Sequence, residues 1–129
     1  MALTLANVRP LQAWAAFLAV FELPEIYKVL TGTKFKDFQA RLPDTPAVRR
    51  LWATFLALLT VSRISYVFAP DSRAVCLHNA AVHVIEAIFM LPESAVMSGH
   101  GPKPMMYVIL LNAGLFAASV RRAKSKLRS

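Results

Sequence analysis

Four apolar runs decide what this chain can fold into, because two carry no charged residue and two carry only one each. Met105 to Val120 (MMYVILLNAGLFAASV) is charge-free and closed by the basic tail Arg121, Arg122, Lys124, Lys126 and Arg128. Leu51 to Pro70 is interrupted only by Arg63, and Ala74 to Leu91 only by Glu86. A helix rises about 1.5 Å per residue and a bilayer core is about 30 Å thick, so runs of this length predict spanning helices. The remaining run, Pro10 to Phe21, is short, and Glu22, Pro24, Glu25 and Lys28 follow it at once. It reads as a full span, a kinked one or a re-entrant segment; a proline there frees a carbonyl that neighbouring helices must satisfy.

Composition supports a bilayer environment. Of 129 residues, 57% are hydrophobic and 17% charged, and a soluble chain of this size buries under about 70% of its unfolded surface, too little to hide that apolar mass. The expected fold class is all-α: a polytopic membrane bundle of four transmembrane helices, or three plus a re-entrant or interfacial first segment. It forms a single membrane domain over 1–129, with helices near 10–30, 51–70, 74–91 and 104–121, an interfacial loop over 31–50 and a basic tail over 121–129. Large enzyme folds and disorder are excluded. The formal charge of +8 calls for an anionic partner, and basic residues beside apolar runs suit lipid headgroups such as cardiolipin rather than nucleic acid. Arg49, Arg50, Arg121, Arg122 and Lys124 are the expected anionic-lipid contacts. The lone Cys76 forms no internal disulfide and leaves the compartment open.

In the loop, Gly32 reads as a helix stop and Pro43 and Pro46 as breakers. Phe35, Phe38 and Leu42 recur at helical spacing among Lys34, Lys36 and Arg41, as in a short helix lying in the headgroup plane. Asp71 and Ser72 predict a tight turn, and Gly99 to Pro104 a stiffer one. Glu22 and Pro24 stand where a signal peptide would have small residues, so the N-terminus is expected to stay uncleaved. Four spans divide the Lys and Arg residues seven to seven between the two sides, so charge bias sets no topology.

Glu22, Arg63 and Glu86 are the chemically expensive residues. An ionised side chain at the bilayer centre costs about 2.5–3.5 kcal/mol on the insertion scale. Counting from the bordering arginines, Glu22 and Glu86 each lie roughly 20 Å deep from one side and Arg63 roughly 20 Å from the other. A long arginine closes most of the difference. Asn79, His83 and Glu86 share one face of the third helix by their spacing. The reading is a buried polar network of Glu22, Arg63, Asn79, His83 and Glu86; a proton path through Glu22, His83 and Glu86 is the alternative. One His-x-x-Glu does not meet the needs of a helix-bundle di-iron centre, and His78 and His83 lie on different faces, so no metal or other cofactor is expected. No nucleophile with a base at helical spacing and no phosphate loop is present, and no catalytic residue is assigned. Gly114, Ala117 and Ser119 form a small-residue face for close helix packing, and Trp14, Trp52, Tyr66 and Tyr107 read as interfacial anchors or packing residues.

Several of these residues resemble the ergosterol biosynthesis protein 28 family. Tyr27 to Gly32 (YKVLTG) is similar to the stretch after that family's first span. Arg50 and Arg63 stand where the family has an arginine, an aromatic five residues on and a second arginine eight beyond that. Here the aromatic is Phe55 in place of tryptophan. His83 and Glu86 resemble the family's histidine and glutamate near the end of the third span, one residue closer together and after a shorter loop. The resemblance covers the middle two thirds of the chain and implies a four-span, non-catalytic scaffold that tethers sterol-biosynthetic enzymes at the endoplasmic reticulum membrane.

The function expected from the sequence is a non-catalytic scaffold or accessory subunit of a larger membrane complex, with other membrane subunits and anionic lipid as partners. A supernumerary subunit of a mitochondrial inner-membrane respiratory or ATP synthase complex is the leading form. The sterol-enzyme scaffold and a proton or small-solute conductor are the alternatives.

Overall fold

A computed structural model describes residues 9–32, 43–96 and 102–127, with side chains between 93 and 105 and after 123 outside that description. The described residues form four helices and no strand: α1 (Pro10–Thr31), α2 (Pro46–Phe68), α3 (Arg73–Val96) and α4 (Pro102–Leu127). The amphipathic stretch around Phe35, Phe38 and Leu42, with Lys34, Lys36 and Arg41, lies outside the described residues.

Local chemistry sets the helix ends. Proline suits the first helical position because its missing N–H is unneeded there, and α1 and α2 both begin that way, at Pro10 and Pro46. The Thr45 hydroxyl caps α2 by accepting from the Val48 N–H at 3.3 Å. Pro46 therefore opens a helix where a breaker was expected, and α2 takes in residues 46–50 of the predicted interfacial loop. The Gly32 stop holds: its φ of 73° is left-handed, and its N–H closes on the Val29 carbonyl at 3.1 Å. Pro24 and Pro92 sit inside their helices, so α1 is continuous through the expected kink site and α3 runs past Leu91 to Val96. α4 likewise continues through Arg121 and Arg122 into the basic tail.

The helices pack as two antiparallel pairs, α1 with α2 and α3 with α4, joined where α2 meets α3. Arg9 before α1 pairs with Asp71 after α2, and Arg49 near the start of α2 lies over Gly32 at the end of α1. One packed cluster gathers Ala15, Tyr66, Cys76, Phe116 and Ala123 from all four helices; a second joins Ala87 and Met90 to Ile109. Tyr66, 4% exposed, is thus a core residue and no interfacial anchor, whereas Tyr107 is exposed. Trp14 is half-buried with its indole N–H on the Asn112 side chain at 2.8 Å, tying α1 to α4.

Polar side chains are buried beside the apolar core while many large apolar ones are exposed. Gln12, Thr60, Ser62, Arg63, Asn79, His83, Glu86, Asn112 and Ser119 are buried. Large apolar side chains face outward on every helix, among them Phe17 and Phe21, Leu58 and Phe68, Ile88 and Phe89, Leu110 and Leu111. Water penalises that arrangement and hydrocarbon favours it. Among the described residues, two helices are long and apolar enough to cross a membrane: Pro46–Phe68 and Arg73–Pro92, of mean hydropathy 1.5 and 1.7.

Candidate functional site

Arg63 lies at the centre of the molecule, 2% exposed, and reaches partners on two other helices. It projects from mid-α2, where a three-carbon stem and a planar fork of five donors suit convergent acceptors. One terminal nitrogen pairs with Glu22 Oε1 of α1. The other stands 3.8 Å from Glu86 Oε2 of α3, an ion pair without a hydrogen bond. The Nε–H donates to His83 Nε2 of α3 at 3.1 Å. Glu22 also faces the Thr60 hydroxyl at 2.9 Å, one α2 turn before Arg63.

These bonds fix the state of His83. Arginine has no acceptor, so His83 Nε2 must offer a lone pair, and its Nδ1 lies 2.7 Å from the Asn79 carbonyl oxygen, which only accepts. The ring is therefore the neutral tautomer with its proton on Nδ1. Phe116 of α4 stacks on it at 4.1 Å between centroids and 17° between planes, and Tyr66 meets Phe116 edge-on at 5.3 Å. All four helices thus define the surroundings of one guanidinium.

The structure brings together Glu22, Arg63, His83 and Glu86 as the sequence expected. Asn79 is also buried, but it joins through its backbone carbonyl; its side-chain Nδ2–H donates back to the Val75 carbonyl at 3.1 Å and its Oδ1 has no partner. Thr60 and Phe116 escaped the sequence reading, the first because a hydroxyl in an apolar run satisfies itself on its own helix, here at the Leu56 carbonyl. Gln12 and Asn112 were the legible omissions. Amides in apolar helices signal interhelical bonds, and the Gln12 Nε2–H donates to the Val67 carbonyl at 2.9 Å.

The predicted lipid contacts are scattered. Arg49 donates from Nε to Asp44 Oδ1 at 2.6 Å, and that hydrogen bond holds the Asp44 carboxyl below the usual aspartate range. Arg50, Arg121 and Arg122 are exposed, and the Lys124 side chain lies outside the described residues. Among the described residues no three His, Cys, Asp or Glu side chains come together in a metal-holding arrangement. The small-residue face turns outward at Gly114, Ala117 and Ala118, whereas Ser119 is buried and donates to the Phe116 carbonyl at 2.6 Å.

Between α2 and α3 runs a groove of about 460 Å³ with almost wholly apolar walls, formed by Val48, Leu51, Trp52, Phe55, Ile85, Phe89 and Met90, with Glu86 as its one charged lining residue. No protein-family model matches the chain, and no curated protein or solved structure matches it significantly.

Proposed function

We propose that this chain is a non-catalytic integral-membrane scaffold, a four-span bundle that holds other membrane proteins together and runs no reaction of its own. The observation that carries this reading is the use made of Arg63: its guanidinium faces Glu22, His83 and Glu86, so the most chemically capable residues are turned toward holding three helices in register. The apolar exterior of all four helices supports bilayer placement. The outward Gly114, Ala117 and Ala118 suit close approach by a partner helix.

Of its two forms, we take first a tether for sterol-biosynthetic enzymes at the endoplasmic reticulum, the alternative to the mitochondrial subunit in the sequence reading. Of the residues that carry the family resemblance, Arg63, His83 and Glu86 converge at the centre, while Gly32 closes α1 under the arginine next to Arg50. Residues that recur in a family because they build the scaffold are expected to meet in this way. The second reading, an accessory subunit of a mitochondrial inner-membrane complex, draws on exposed Arg50, Arg121 and Arg122 as cardiolipin contacts. Proton conduction is disfavoured, because a permanently charged guanidinium stands between the three groups a relay would use.

The deciding experiment is native-gel separation of the endogenous complex after mild detergent extraction, with mass spectrometry of co-migrating proteins. Sterol-biosynthetic enzymes in stoichiometric amounts are expected; respiratory or ATP synthase subunits would replace the first reading with the second. Glu86→Gln that left assembly intact but abolished proton flux would overturn both.

A further inference from the structure

The bundle has two ends of unequal charge. On the side of the α2–α3 turn, Arg9, Arg73 and the five bases of the tail stand against one acid, Asp71; on the other side seven bases stand against four acids, Glu25, Asp37, Asp44 and Glu93. Folding sharpens the difference. On the four-acid side, Lys28 pairs with Glu25 at 3.1 Å and Arg49 with Asp44 at 2.6 Å. On the turn side, Leu11, Val75 and Ala123 belong to one packed cluster, which brings the neighbouring Arg9, Arg73 and Arg122 to a common rim. Arg73, Arg121 and Arg122 are exposed there, and the one acid, Asp71, is already held by Arg9 at 2.8 Å. α4 carries its basic run onward as helix to Leu127.

We propose that this rim of Arg9, Arg73, Arg121 and Arg122 docks the headgroups of anionic phospholipids, and so turns the start of α1 and the end of α4 toward the leaflet richer in them. The inference rests on the membrane reading and adds a side to it, which the even division of bases leaves open. Chemistry selects the phosphate. The bases whose side chains are described at this end are all arginines, and a planar guanidinium fork bonds phosphate oxygens in pairs. Position selects lipid as the carrier. Phe68, Leu77 and Leu115 are exposed just inside the rim, so the occupant must present its charge directly above hydrocarbon, which nucleic acid does not. Bases just beyond a span are drawn to the anionic surface of the cytoplasmic leaflet, over about a Debye length. Arg49 and Arg50, expected as lipid contacts together with the tail, lie at the opposite end, where neighbouring acids weaken the field.

The test uses the full chain in phosphatidylcholine nanodiscs doped with phosphatidylserine or phosphatidylcholine bearing the same nitroxide near the headgroup. Trp14, near the start of α1, reports on the arginine rim, and Trp52, near the start of α2, on the opposite end. In the Trp52→Phe variant, labelled phosphatidylserine is expected to quench Trp14 about twofold more efficiently than labelled phosphatidylcholine, and molar salt should erase the difference. In the Trp14→Phe variant the two lipids should quench Trp52 alike. Arg73→Gln, Arg121→Gln and Arg122→Gln together, all at exposed positions, should abolish the preference at Trp14, while Arg50→Gln leaves it. Equal quenching of Trp14 by the two lipids, a stronger preference at Trp52, or a preference indifferent to the three arginines would overturn the assignment. Failure of the chain to enter nanodiscs would overturn the membrane reading as well, which separates the two.

Discussion

Arg63 sets the order in which substitutions hurt. Arg63→Ala leaves the Glu22 and Glu86 carboxyls without a cation and His83 Nε2 without its donor, and breaking a buried pair in this way costs about 3–5 kcal/mol. Glu22→Gln should cost less, since its amide still bonds to the guanidinium and Thr60, and Glu86→Gln least, because its ion pair carries no hydrogen bond. Thermal melting in detergent is expected to rank the three in that order, and equal losses would refute the geometry. Phe116→Ala should cost about 3–5 kcal/mol, as large-to-small changes in a packed core do, because it strips one face from His83 and the edge contact from Tyr66. The acids and the arginine were legible from sequence because charge inside an apolar run demands a partner and depth can be counted. Phe116 was not, since one aromatic in a run of leucines and alanines carries no sign of what it will stack on.

At the level of elements, ends were harder to read than centres. Pro43 and Pro46 look alike as punctuation, and only the Thr45 hydroxyl turns the second into a helix opening. Pro24 and Pro92 are absorbed because the missing bonds fall in helices supported elsewhere by packing. The α1 terminus yields a sharp prediction. Gly32→Ala places a Cβ at 2.5 Å from the Arg49 guanidinium carbon in a backbone region that costs an ordinary residue about 1–2 kcal/mol, so it should lower the melting temperature more than Gly114→Ala, where the added methyl meets nothing. The Asp44–Arg49 contact is pH-sensitive in a known direction. Its carboxyl titrates lower when folded than unfolded, so its contribution is whole above the ordinary aspartate range and fades as pH falls through the lowered value. Titration of the Asp44 side-chain carbonyl by NMR should show that depression, and Arg49→Gln should abolish it.

For the whole molecule, the buried position of the single cysteine gives a direct assay. Cys76 is fully buried, with its thiol donating to the Pro70 carbonyl at 3.3 Å, so a membrane-impermeant maleimide should leave the native protein unlabelled and react only after denaturation; rapid native labelling would contradict the fold. The all-helical class was readable because apolar runs of bilayer length have few alternatives, whereas pairing of α1 with α2 and α3 with α4 depends on side-chain fit that periodicity does not encode. The placement of Glu22 and Arg63 on different helices also orders events during synthesis. About forty residues separate the acid from its cation, roughly 2–8 s of translation at 5–20 residues per second. On the membrane reading proposed above, α1 carries an unneutralised carboxyl until α2 has emerged, so the two helices would leave the insertion machinery for lipid as a hairpin, and a ribosome stalled between them would hold a nascent chain that cannot yet commit to the bilayer.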